Sequence, residues 1–85
     1  GKNIPEKKIT KKVISQGIKI IDLIFQNGLT QSKSEARRIL KNKGIRVNDL
    51  VVRDENKIVN TQDISNNNQI KLSVGKKTHI KVKVI

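Results

Sequence analysis

The side chains with the most chemistry to offer are cations on a regular spacing. Lys33, Arg37 and Lys41 recur at i, i+4 and i+8, with Arg38 beside them. At about 100° per helical residue the first three form one stripe, and Arg38 lies roughly a quarter-turn further round. Cations held at such spacing can meet successive phosphates, and an arginine can do so through two parallel hydrogen bonds. Between residues 28 and 44 five basic residues are accompanied by a single acid, Glu35. Other reactive types are scarce. The chain has no cysteine and one histidine, His79. Disulfides and thiolate metal sites are therefore excluded, and His79 has no second histidine or cysteine with which to hold a metal. His79 is expected at the surface, at most as an auxiliary contact to an anion. No grouping of nucleophile, base and orienting residue is present, so a catalytic reading has no support.

A helix must position the stripe, and its boundaries are written in the sequence. Ser32, Lys33, Ser34 and Glu35 form a capping box, in which Ser32 accepts from the amide of Glu35 and Glu35 reaches back. Gly44 stands where a C′ glycine ends a helix, with Lys41 and Lys43 near the negative end of the dipole. The helix is predicted over residues 32–43, with Ala36, Ile39 and Leu40 on its buried side. Its free N-terminal amides add to the attraction for phosphate.

A second, mostly buried helix is expected over residues 18–27, closed by Gly28. Lys19, Asp22 and Gln26 form its polar stripe, and Phe25 is assigned to the core. After Gly44 the apolar period changes to two. Ile45 and Val47, then Leu50 and Val52, flank a turn at Asn48 and Asp49. Ile70, Leu72 and Val74 pair with Ile80, Val82 and Val84 in a second hairpin with one core face and one lysine face. Lys76 and Lys77 sit in its connecting loop beside Gly75, where contact with phosphate and simple solvation are equally compatible with the sequence. Lys81 and Lys83 read as edge protection or as RNA contacts. Residues 66–68 are a polar turn, and Asp54 and Glu55 form another. The fold class is α+β: two packed helices against a small, mostly antiparallel sheet.

Composition supports the same direction. The 85 residues carry 19 Lys and Arg against seven acids, a formal net charge of +12. A compact chain repels itself at that charge, which points to a polyanionic partner: nucleic acid, an anionic membrane or an acidic protein. The excess is segmental, +4 over residues 1–17, +4 over 28–44 and +5 over 64–85, with nearly neutral stretches between. Residues 1–12, with Pro5 and few large apolar side chains, read as a linker or loosely attached arm; residues 13–85 form the domain. No apolar run approaches the roughly 18 residues of a membrane span. A membrane-surface helix would need apolar residues free to enter lipid, and Ala36, Ile39 and Leu40 are committed to the core. The lysine-rich start has no apolar stretch behind it, unlike a secretory signal, so a cytosolic location is expected. With one aromatic residue, base stacking has little to work with. Recognition of a nucleic acid would then rest on its phosphates and folded shape.

Residues 32–48 (Ser-Lys-Ser-Glu-Ala-Arg-Arg-Ile-Leu-Lys-Asn-Lys-Gly-Ile-Arg-Val-Asn) resemble the αL RNA-binding motif named after ribosomal protein S-four. The Ser-Lys-Ser-Glu-Ala-Arg-Arg form is similar to the C-terminal domain of bacterial tyrosyl-tRNA synthetases. So are the apolar helix after Gly17, the Asn48 turn and the Leu-Ser-Val-Gly-Lys-Lys segment at residues 72–77. The likeness covers about residues 13–85. It implies an RNA-binding module that grips tRNA near the anticodon stem and the long variable arm. Tyrosine and ATP would bind elsewhere in a parent chain, so no cofactor is expected here. The likeness also implies a dimeric parent, with the isolated domain a monomer. Carried over by position, the contacts are Lys33, Arg37, Arg38, Lys41, Lys43 and Arg46, to which the loop residues Lys76 and Lys77 are added. Relatives often have Asn-Gly in the hairpin turn, where this chain has Asp49. The same module in a ribosome-associated or RNA-modifying protein would keep the chemistry and change only the RNA.

Overall fold

The structure, a computed structural model, describes residues 4–85. Period-two alternation builds the sheet. Strands β6 (Gln69–Val74) and β7 (Thr78–Val84), numbered in chain order, form the expected hairpin. Ile70 lies opposite Val82 and Leu72 opposite Ile80, and all four are buried. Strand β3 (Ile45–Val47) runs antiparallel to β6 and turns into β4 (Leu50–Val51). The turn residues Asn48 and Asp49 have φ of 51° and 71°. Such a two-residue turn matches the twist of the strands it joins, and Asn and Asp tolerate positive φ better than most residues. Asp49 also holds Lys71, its Oδ1 lying 3.1 Å from Nζ.

The first strand, β1 (Glu6–Ile9), corrects the reading of residues 1–12 as a loose arm. It runs parallel to β7, with Lys8 beside Lys83 and Ile9 beside Val84. The Lys81 amide donates to the carbonyl of Pro5, and the Ile85 amide to that of Ile9, each at 2.9 Å. Four residues with one large apolar side chain gave no period to detect; backbone pairing to an open strand edge holds them. Residues 1–3 of that stretch lie outside the described residues. The sheet order is β1-β7-β6-β3-β4, antiparallel except at its first pair.

Helices α1 (Lys11–Gln16), α2 (Ile20–Gln26) and α3 (Lys33–Lys41) share one core with one face of this sheet. Ile14, Ile20, Leu23, Ile24, Ala36 and Leu40 meet Ile45, Ile70, Leu72 and Val82 in it. Burial of such side chains stabilises each by about 1.5–3 kcal/mol. The helix expected from residue 18 begins at Ile20. Ile18–Lys19 instead form a short strand, β2, paired with β5 (Ile58–Val59). Gly28 follows α2 with φ 74°, as its capping role requires.

Phe25 is not in the core; it is 39% exposed. Ile20, Ile21, Leu23 and Ile24 already fill the buried arc of α2, and the 3.6-residue repeat carries Phe25 to its border. Asn48 does more than turn the chain. Its Nδ2 donates to the carbonyl of Asp63 at 2.6 Å, and its Oδ1 accepts from the Lys71 amide at 2.9 Å. One side chain thereby ties the β3–β4 turn to β6 and to the 3-10 turn at Thr61–Asp63.

Candidate nucleic-acid interface

Helix α3 begins as its sequence dictates. Ser32 Oγ accepts from the Glu35 amide at 3.0 Å. The carboxylate of Glu35 reaches back one residue further than a strict capping box, to the amide of Gln31 at 2.9 Å. The C-terminal end differs by one position from expectation. Asn42 is the cap, and the left-handed residue after it is Lys43, with φ 61°, not Gly44. The Lys43 amide bonds to the carbonyl of Leu40 and the Gly44 amide to that of Ile39, each at 2.9 Å. These two bonds make a Schellman ending. Gly44 is required for closeness: a Cβ there would stand 2.6 Å from Ile39 Cγ2 and 3.1 Å from the Ile39 carbonyl oxygen.

Packing of Ala36 and Leu40 fixes the rotation of α3 and turns Lys33, Arg37, Arg38 and Lys41 outward, all exposed, with Lys43 exposed at its end. Their charges are not equally free. Lys33 Nζ lies 3.0 Å from Asp22 Oδ1 of α2. Arg38 makes a long contact of 3.7 Å with Glu35 on its own helix. Among the described residues, Arg37 and Lys41 make no ion pair. Lys33 and Arg37 border a polar cleft of about 200 Å³, also lined by Lys19, Asp22, Glu55 and Asn56. The Asp54 turn forms as expected, its Oδ1 accepting from the Asn56 amide at 2.9 Å. It delivers Glu55 into this cleft, a placement that sequence order alone could not give.

Lys76 and Lys77 join the same region. The hairpin loop that carries them is pinned to the end of α3 by a hydrogen bond of 2.7 Å from the Gly75 amide to the Gly44 carbonyl. The exposed Lys43, Lys76 and Lys77 thus form a basic rim where α3 meets the sheet. Arg46 is placed differently from the α3 set. Its neighbours Ile45 and Val47 are buried against the helices, so strand alternation sends Arg46 to the opposite face of the sheet. There it is registered with Ser73. His79 lies on that face too, its Nδ1 2.8 Å from Ser73 Oγ. Among the described residues no group of His, Asp and Glu side chains is arranged to hold a metal ion.

A rigid helix with an exposed cation stripe, continued by a basic loop, has the chemistry to meet a chain of phosphates. The family described as "Tyrosine--tRNA ligase SYY-like C-terminal domain" matches residues 2–82. The chain belongs to this family. Among curated proteins, the tyrosine–tRNA ligase of Pelagibacter ubique is 45% identical over 85 residues, the whole of this chain and 20% of that protein. The tyrosine–tRNA ligase of Rickettsia felis is 45% identical over 82 residues, 96% of the chain and 20% of its own length. That of a Wolbachia of Brugia malayi is 44% identical over 81 residues, 95% of the chain and again 20% of the relative. The chain therefore spans about a fifth of the length of these relatives. The architecture above, an α+β unit with α3 docked on a mixed sheet, is that of one member of the tyrosine–tRNA ligase C-terminal family. Among its described residues no helix is long and apolar enough to cross a membrane.

Proposed function

We propose that this C-terminal-type domain docks tRNA for a tyrosine–tRNA ligase. The observation that carries the reading is the exposed Arg37 and Lys41 on α3, without an ion pair among the described residues, continued by the Lys43, Lys76 and Lys77 rim, in a chain of this family. The RNA is tyrosine tRNA, gripped at the anticodon stem and the long variable arm. Lys33, Arg37, Arg38 and Lys41 contact the backbone along the helix, with Lys43, Lys76 and Lys77 at its end and Arg46 at the margin. Mechanistically the domain positions and does not transform. Rigid cations fix the register of the RNA, and a catalytic domain of the parent ligase, a cytoplasmic homodimer, holds tyrosine and ATP and acts on the acceptor end. The domain itself is a monomer and needs no cofactor.

The test is binding to a tyrosine tRNA, a tRNA with a short variable arm and a plain RNA duplex over a salt series. The expected result is a preference for the long-armed tRNA that survives moderate salt. Equal and steeply salt-dependent binding to all three would overturn the tyrosine-tRNA assignment and leave a general RNA-binding domain, as in a ribosome-associated or RNA-modifying protein.

A further inference from the structure

The helices cover only one face of the five-stranded sheet. Strand register defines what the other face carries. On β1 it holds Glu6 and Lys8, on β7 His79, Lys81 and Lys83, on β6 Gln69, Lys71 and Ser73, on β3 Arg46 and on β4 Val51. Five of these are cations. The acids within reach are Glu6, registered with Lys81, and Asp49, paired with Lys71 at 3.1 Å. Lys8 and Lys83 are exposed, and Lys81, Lys71 and Arg46 are half-buried by their own stems.

Two pairings on this face set lysines side by side; acids accompany one of them, while Lys8 and Lys83 make no ion pair among the described residues. Lys8 is registered beside Lys83, and Lys71 directly opposite Lys81. Like charges on neighbouring strands destabilise a sheet. A lysine used only to keep a strand edge from aggregating belongs on an edge strand. Here β7 and β6 are interior strands, second and third in an order of five. Edge protection therefore does not account for Lys71, Lys81 and Lys83.

We infer that this outer sheet face is a second RNA-backbone surface, engaging a double-helical segment of the same RNA molecule that lies on α3. The inference rests on the RNA-docking reading and extends it to the opposite side of the domain. Three features select this occupant. The face is cationic, with side chains about 6.6 Å apart along each strand, which suits a row of phosphates. It holds no aromatic side chain, so stacking with unpaired bases has no platform. And the rim of Lys43, Lys76 and Lys77 lies at the end of the sheet where α3 meets β3 and β6, so basic surface runs from the helix face toward Arg46 without an acidic interruption in that loop. The domain is then a wedge between two RNA segments.

The decisive experiment compares three variants of the chain, each checked for native fold by circular dichroism. The sheet variant is Lys8→Gln, Lys81→Gln and Lys83→Gln; the helix variant is Arg37→Gln and Arg38→Gln. A control with the same charge loss as the sheet variant but off both surfaces is Lys7→Gln, Lys11→Gln and Lys12→Gln, all exposed in the parent. Binding to tRNA is followed over a salt series, with hydroxyl-radical footprinting of the RNA. The sheet variant should lower the salt slope by about two to three and erase a protected segment distinct from the one lost in the helix variant. An unchanged slope and footprint in the sheet variant, with the helix variant weakened, would overturn the second surface and leave the α3 reading intact. An equal loss in the control would also overturn it, by assigning the effect to net charge. A helix variant that binds like the parent would instead sink the α3 reading itself.

Discussion

Helix α3 and the segment from β3 to the 3-10 turn are both rich in charge, yet α3 carries four cations with one acid and the segment three cations with four acids. In the second region Lys57 is matched internally, while Arg46 and Arg53 make no ion pair among the described residues. Lys57 Nζ meets Asp63 Oδ1 at 3.3 Å, with the two side chains 31% and 19% exposed, and Asp63 also accepts from the Asn60 amide. On α3, Lys33 is paired with Asp22, Arg38 has only a loose contact, and Arg37 and Lys41 have no such partner among the described residues. On the proposed reading, the difference separates charge that shapes the fold from charge that meets RNA. Net charge could not make that distinction; partners can.

The sharpest way to break the comparison is to remove charge from each region in turn. Arg37→Ala with Arg38→Ala should weaken tRNA binding by roughly 100-fold and lower the salt slope by about two, with unfolding in urea nearly unchanged. Lys57→Ala should do the reverse, costing about 1 kcal/mol of stability, modest because the pair is partly exposed, while affinity stays within about twofold. If Lys57→Ala instead reduces binding as strongly as the arginine pair, the division between the regions is wrong. Asn48→Ala probes the matched region at its centre. It removes two hydrogen bonds and leaves a residue at φ 51° that tolerates it poorly, so a loss of about 2 kcal/mol is expected in denaturant titration. The smallest effect lies at the boundary. Asp22→Asn with Glu55→Gln takes two carboxylates from the cleft beside Lys33 and Arg37, and should raise RNA affinity about threefold, read by titration at low salt. A fall in affinity would mean that the acids orient those cations and do not compete with the RNA.

The parts legible in the sequence were those with a period and a punctuation mark. Helix α3 announced itself through Ser32, Glu35 and its apolar spacing, and the two hairpins through alternation around Asn48 and Gly75. The pieces that escaped were short. Strands β1, β2 and β5 have two to four residues and are held by pairing to strands distant in sequence. No local pattern encodes that. Phe25 lies outside the core because four neighbours already fill the buried arc of α2, a space limit that the general burial of apolar residues does not express. Arg46 is a different case. Its flanking Ile45 and Val47 were legible as core residues, so its opposite orientation could have been read from parity alone. The contact between Gly75 and Gly44 that unites Lys76 and Lys77 with α3 needed the three-dimensional arrangement.

Lys43 holds a left-handed backbone that a glycine would adopt without cost, and a lysine there forgoes about 1 kcal/mol. Selection for heat resistance alone would therefore favour glycine at that position and erode the basic rim. If Lys43 meets RNA as proposed, endurance and grip make opposite demands there, and an engineer hardening this domain would meet that conflict first at the end of α3.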